Sequence, residues 1–200
     1  GCGSATPTLR RHATAQYVNA RERYFLIDCA EGTQLQLRRY KAHVQRLHAI
    51  FISHLHGDHY LGLMGLLSTM HLLGRKRALK LCGPEGLKEI LDVHWKMGKT
   101  TIGFPIDFHP LEKGTSELLY EDSQVFVRSF PLKHRIDCWG VRVEEQPLKR
   151  KVVKEAVDAH QVPVAWMKRI VDGEDYIDPA GQTIPNNELT RPPRPPKAYA

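Results

Sequence analysis

The sequence predicts an α/β protein of layered architecture. Three observations carry that expectation. Strand-like and helix-like patterns alternate through the first half, the runs 24–27 and 49–52 are apolar without alternation, and a strand-rich stretch follows Thr101. The continuous apolar centre 49–52 suits a strand buried on both faces. With 200 residues, 42% hydrophobic and 26% charged, the chain is long enough to close one core.

Taken in order, Arg23 to Asp28 reads as a strand that delivers Asp28-Cys-Ala-Glu-Gly32 to its carboxyl end, and Gln34 to Tyr40 suits a short helix. Leu47 to Ser53 is the next strand. From His59 to Leu73 the Leu and Met positions recur at steps of three and four, which predicts a helix. Ala78 to Leu81 is a short strand, and Pro84-Glu85 opens a helix that runs to Met97. Ile106 to His109, Glu117 to Tyr120, Gln124 to Phe130 and Trp139 to Val143 then read as strands separated by turns. Helical pattern returns at Lys151 to Ala159 and Val164 to Val171. Asp172 to Asn187 is turn-rich, Arg191 to Pro196 is stiff and extended, and Lys197 to Ala200 opens another strand.

Basic residues outnumber acidic ones by 29 to 22, a net charge of +7 that favours phosphate-bearing partners over cationic ones. The apolar stretch from Leu61 to Leu73 is interrupted by Gly62, Gly65, Ser68, Thr69 and His71, far short of the roughly 20 residues a membrane helix needs. No membrane partner is expected. Cys2, Cys29, Cys82 and Cys138 lie far apart without a Cys-x-x-Cys pair, so neither a cysteine zinc knuckle nor a dense disulfide framework is indicated and a reducing cytoplasm is the default expectation. The clusters Arg38-Arg39-Tyr-Lys41 and Arg75-Lys-Arg77 read as solvated helix or turn faces.

The segment with the clearest chemistry is His54-Leu-His-Gly-Asp-His59, four potential metal ligands in six positions directly after a buried strand. Taking positions as independent, such a pattern arises in about one or two of a thousand chains of this composition. His54 and His56, two apart on an extended segment, point to one side, while Asp58 and His59 sit where the chain turns into a helix and can face the same cavity. Imidazole nitrogen with carboxylate oxygen is a donor set that zinc accepts. Gly57 is expected to let the backbone bend between the two ligand pairs. His12, His43, His48, His71, His94, His109 and His160 read as ordinary surface or hydrogen-bonded residues.

His-x-His-x-Asp-His after a hydrophobic strand resembles the signature of the metallo-β-lactamase superfamily of dinuclear metal hydrolases. Within it, Gly3-Ser-Ala-Thr-Pro-Thr8, Phe25-Leu-Ile-Asp-Cys-Ala-Glu-Gly-Thr-Gln34, Ile52 to Leu63 around the metal motif, and Pro131-Leu-Lys-His134 together resemble the ribonuclease Z family. The resemblance implies an αββα sandwich, here partial, with a flexible arm inserted in it. It implies a first metal held by His54, His56 and His134, and a second held in part by Asp58 and His59. Asp58 would also transfer a proton, and Asp28 would support the site from behind the ligands. Two zinc ions per subunit are implied for the complete protein.

The implied activity is removal of the 3′ trailer from precursor tRNA by phosphodiester hydrolysis, leaving a 3′-hydroxyl on the tRNA and a 5′-phosphate on the trailer. Paired metals suit an in-line displacement of that kind. Another hydrolase of the same fold, acting on a small phosphodiester or a thioester, is the alternative. The implied organisation is a hydrolase core over 1–147, a tRNA-binding arm with a Pro-rich return over 148–196, and the start of the next core strand over 197–200. The arm carries Lys149-Arg-Lys151, Lys154, Lys168 and Arg169. A homodimer and a cytoplasmic location are implied as well. Members of the family carry a bridging Asp and a last His beyond the part that matches this chain, so the sequence reads as a fragment lacking both ends and inactive alone.

Overall fold

The computed structural model describes Gly3, Ala5, Thr6, Thr8 and residues 10–200; Cys2 and the Ser4 and Pro7 positions of the opening motif lie outside the described residues. Two compact units are formed, Gly1–Glu145 with Ala198–Ala200, and Gln146–Lys197. The first contains β1 (Gln16–Ala20), β2 (Arg23–Ile27), α1 (Thr33–Arg39), β3 (Leu47–Phe51), α2 (Gly57–Tyr60), α3 (Leu63–Leu72), β4 (Leu79–Gly83) and α4 (Gly86–Gly98). It continues with β5 (Ile106–Pro110), β6 (Leu118–Glu121), β7 (Val125–Leu132) and β8 (Cys138–Glu145). The second contains β9 (Lys151–Val152), α5 (Lys154–Ala159), α6 (Met167–Val171), β10 (Tyr176–Ile177), β11 (Thr183–Ile184), α7 (Asn186–Leu189) and β12 (Thr190–Arg191). β13 (Ala198–Tyr199) belongs again to the first.

One sheet runs β1-β2-β3-β4-β5, with β1 antiparallel to β2 and the rest parallel; the other runs β13-β8-β7-β6 and is antiparallel throughout. The apolar runs of β2 and β3 explain the layering. Tyr24, Leu26, Ile50 and Ile52 face a core shared with α1, α3 and α4, while Phe25, Ile27, Ala49 and Phe51 face a second core shared with Leu119, Val125, Val127, Trp139, Val141 and Val143. Burying a side chain such as Phe51 or Ile50 in this way contributes roughly 1.5–3 kcal/mol each. In α3 the buried positions are Leu63, Leu66, Leu67 and Met70, the stripe that the three-and-four spacing predicts.

Several expectations needed correction. The helix predicted from His59 to Leu73 is two helices, α2 and α3, parted at Leu61-Gly62. There the Gly62 N–H donates to the Cys29 carbonyl at 2.9 Å, and a Cβ on Gly62 would stand 1.9 Å from the Ala30 oxygen. The loop after β2 crosses the helix at that point, and only glycine lets it pass. β1 was not foreseen; it joins β2 through Arg21 and Glu22, both at positive φ (50° and 63°), a hairpin turn built without the Asn-Gly or Asp-Gly that announces one. Arg75 is buried rather than solvated. Its guanidinium donates to the carbonyls of Gln45, Leu47, Arg77 and Ala78 at 2.8–3.0 Å. Burial lowers its pKa only to about 10, so it stays charged.

In the second unit Val157, Val162, Ile170, Tyr176, Ile184 and Leu189 form a separate core. Lys151 and Val152, expected to begin a helix, pair as a strand with Thr190 and Arg191, and the turn-rich stretch contains the β10–β11 hairpin and α7. Buried Asn186 holds the unit's polar centre: its Nδ2 donates to the Ile170 and Glu174 carbonyls at 2.7 Å, and its Oδ1 accepts from the Thr190 hydroxyl.

Candidate metal centre

The residues singled out in the sequence lie on three segments that leave strands: Asp28 after β2, Ser53 to His59 after β3, and His134 between β7 and β8. The first two leave the carboxyl ends of neighbouring parallel strands, where ligand sites of α/β sheets form. The structure brings His54, His56 and His134 together. His54 Nε2 lies 3.0 Å from His56 Nδ1, His134 Nε2 lies 3.2 Å from the same atom, and a ligand nitrogen from each falls within 4.8 Å of the other two.

This arrangement fits a metal ion. Nitrogen ligands about 2.0–2.1 Å from a tetrahedral ion stand about 3.3 Å apart, close to the two short separations here. The rings meet edge to face rather than stacked, at interplanar angles of 75–81°. Beside them, His59 Nε2 and Asp58 Oδ2 are 3.5 Å apart, and the His54 and His59 ring centroids are 3.9 Å apart. A three-imidazole group and an imidazole–carboxylate pair therefore adjoin one another.

Asp28 does not join them as a donor. Its carboxylate is used within the protein: Oδ1 accepts the Ser53 backbone N–H at 2.9 Å, and Oδ2 lies 2.7 Å from His59 Nδ1. The residue reaches that position through a left-handed backbone at φ 58°, which costs on the order of 1–3 kcal/mol for a residue with a Cβ. Its own N–H donates to the Phe51 carbonyl at 2.8 Å, tying the turn to β3. A carboxylate fixed in this way orients His59 with Nε2 outward.

Burial, followed by the neighbouring His59 and His56, holds the His54 imidazole down at about 4, so it is neutral and able to offer a lone pair. For His59 burial works in the same direction, but the hydrogen bond and charge of Asp28, with Asp58 adding, outweigh it and raise the pKa. Gly57 differs from expectation: it is not among the positive-φ glycines, and it opens α2, where a Cβ would meet the Leu61 side chain at 2.8 Å. Three neighbours escaped the sequence reading. Ser53 Oγ lies 3.0 Å from His54 Nδ1 and 3.1 Å from His59 Nδ1, Arg135 Nη2 lies 3.2 Å from His56 Nε2, and Cys138 Sγ lies 3.7 Å from His54 Nδ1. Ser53 and Arg135 adjoin predicted ligands in sequence and were there to be noticed; nothing in the sequence marks Cys138.

A helix layer on a sheet, a second sheet behind it, and histidines and aspartates gathered where the strands end define a metallo-β-lactamase-fold protein. The Bacillus subtilis metallo-β-lactamase fold protein YhfI superposes with a TM-score of 0.54 at 18% identity, over 72% of this chain and 55% of its own. Residues 1–104, just over half of the chain, match the family model described as "Anti-Pycsar protein Apyc1", and the chain belongs to that family. Over its whole length it is a homologue of ribonuclease Z: it is 46% identical to the ribonuclease Z of Bacteroides thetaiotaomicron over 200 residues, 100% of this chain and 63% of that protein. The crystal structure of human tRNase Z, short form, superposes with a TM-score of 0.64 at 33% identity, over 73% of this chain and 61% of its own. The chain thus spans less than two thirds of the length of the relatives it matches.

Proposed function

We propose that the chain belongs to a metal-dependent endoribonuclease that removes the 3′ trailer from precursor tRNA, leaving a 3′-hydroxyl on the tRNA and a 5′-phosphate on the trailer. The observation that carries this reading is the 46% identity to a ribonuclease Z across all 200 residues. The gathered histidines support it. His54, His56 and His134 would hold one zinc ion, and Asp58 with His59 would hold part of a second. Bound there, the ions would supply Lewis acidity toward the phosphodiester and its attacking water. Asp58 would hold and pass the proton that the leaving oxygen needs. Asp28 would keep the His59 ring turned toward its ion.

The second unit is the candidate tRNA-gripping arm. Its Lys149 and Arg169 pair with Asp172 and Glu174, while Lys151, Lys154 and Lys168 are exposed and suited to phosphates on a folded RNA. Leu35 and Tyr40, on and just after α1, and Leu72 and Leu73, at the end of α3, are exposed apolar side chains, and the homodimer we propose would cover them. No helix among the described residues is long and apolar enough to cross a membrane, and we place the protein in the cytoplasm with its substrate. Hydrolysis of a small phosphodiester or a thioester is the second reading, kept because the family model that matches residues 1–104 is described as "Anti-Pycsar protein Apyc1" and not as a ribonuclease.

The deciding experiment is cleavage of an end-labelled precursor tRNA by the full-length protein with zinc or manganese, beside a His56→Ala copy. The expected result is a metal-dependent cut next to the acceptor stem, reduced ~100-fold or more in the variant. A protein that binds metal but leaves the tRNA whole would move the assignment to a smaller substrate.

A further inference from the structure

We infer that the Ser53 hydroxyl oxygen is a shared hydrogen-bond acceptor that fixes the tautomers of His54 and His59, so that both rings present their Nε2 lone pairs to metal. The inference rests on the metal-centre reading and adds to it a positioning residue. Ser53 is buried, its backbone N–H is spent on Asp28 Oδ1, and its Oγ stands 3.0 Å from His54 Nδ1 and 3.1 Å from His59 Nδ1. One oxygen therefore touches one imidazole from each half of the site.

A neutral imidazole carries one N–H and one lone pair, so what one nitrogen bonds decides what the other offers. At His59, Nδ1 lies 2.7 Å from Asp28 Oδ2, an acceptor only, so the proton sits on Nδ1 and is shared with Ser53 Oγ. At His54, Nε2 is the nitrogen that converges with His56 and His134 and must be free of hydrogen to bind an ion. Its Nδ1–H then needs an acceptor, and Ser53 Oγ is the close one; Cys138 Sγ at 3.7 Å is a longer and weaker partner. A hydroxyl oxygen has two lone pairs, enough for both rings.

The two sides are not equally dependent on this oxygen. Without it His59 keeps the Asp28 carboxylate, whereas His54 is left with the thiol. Ser53→Ala in the full-length zinc-loaded protein should therefore weaken zinc binding ~10–100-fold, the usual effect of losing a group that orients a metal ligand. The three-histidine site should suffer more than the Asp58–His59 side. Ser53→Thr, which keeps the hydroxyl, should restore affinity to within a few-fold.

Competition with a chromophoric chelator reads the affinities, and nitrogen-15 NMR of the histidine rings reads the tautomers. In the wild-type protein the His54 and His59 Nδ1–H protons should be slow to exchange, and the His54 proton should move or vanish in the alanine variant. A Ser53→Ala protein that binds zinc like the wild type, with the His54 resonance unmoved, overturns the proposal alone. If the alanine variant does not fold, the wild-type spectrum still decides: a His54 ring that binds through Nδ1, or whose Nδ1–H exchanges freely, overturns it. A wild-type protein that takes up no zinc takes down the metal-centre reading as well, a distinct result.

Discussion

Asp122 shows how a single carboxylate between two strands ties stability to pH. It follows β6, accepts from Arg23 Nε at 2.6 Å, from the backbone N–H groups of Gln124 and Val125 at 2.8 and 2.9 Å, and from the Tyr120 hydroxyl at 3.1 Å. Burial pushes its pKa up, but the guanidinium and the two amides outweigh burial and bring it down to about 2. A carboxyl whose folded pKa lies below its unfolded value stabilises the fold above the unfolded value, near 4, and that stability is lost as pH falls through 2. With the side chain 24% exposed, the contribution at neutral pH is about 2 kcal/mol after modest screening. Denaturant unfolding of the wild type and Asp122→Asn should show that gap at pH 6 and a steady narrowing from pH 4 toward pH 2. A gap that does not change with pH would mean the carboxylate acts by packing rather than by charge.

At the scale of the element, what could be read from the sequence was what the chain encodes locally. The α3 stripe follows from spacing, β2 and β3 from their uninterrupted apolar runs, and His54 to His59 from the density of donors within six positions. His134 sits 78 positions from His56, and only the likeness of Pro131-Leu-Lys-His134 to a family motif linked the two. Ser53 adjoins His54 and was legible, whereas buried Arg75 escaped because Gln45 and Leu47, two of its partners, come from elsewhere in the chain. The break between α2 and α3 escaped for the same reason, since it is set by the loop crossing Gly62. Gly62→Ala tests that account by opposing two effects. Alanine is the better helix former by about 1 kcal/mol, but its methyl would lie 1.9 Å from the Ala30 backbone oxygen, and overpacking against backbone costs about 3 kcal/mol. The clash should win, lowering unfolding free energy by roughly 2 kcal/mol and displacing the turn that carries Asp28. Unchanged or increased stability in thermal and urea unfolding would show that the loop yields easily and that the helix break has another cause.

At the scale of the whole chain, the decisive feature is that the two units have separate cores. Composition announced one domain, and the strands and helices of residues 146–197 are too short to have suggested a core of their own; no strand there exceeds two residues and no α-helix exceeds six. What holds the unit is tertiary: six buried apolar side chains, together with buried Asn186 bridging two carbonyls and the Thr190 hydroxyl. Ile170 is fully buried at the centre of it, with its carbonyl taken by Asn186. Truncating a buried isoleucine to alanine costs about 2–5 kcal/mol, a large share of what so small a core can supply. Because neither core of the first unit includes Ile170, the loss should stay local. Hydrogen exchange of Ile170→Ala should therefore show amides of 151–191 exchanging at least ~30-fold faster while β2 and β3 keep wild-type protection. Equal acceleration in β2 and β3 would mean that the units unfold as one. If the proposed function holds, the same variant should lose grip on precursor tRNA while keeping its affinity for zinc, since the residues proposed to hold metal all lie in the first unit.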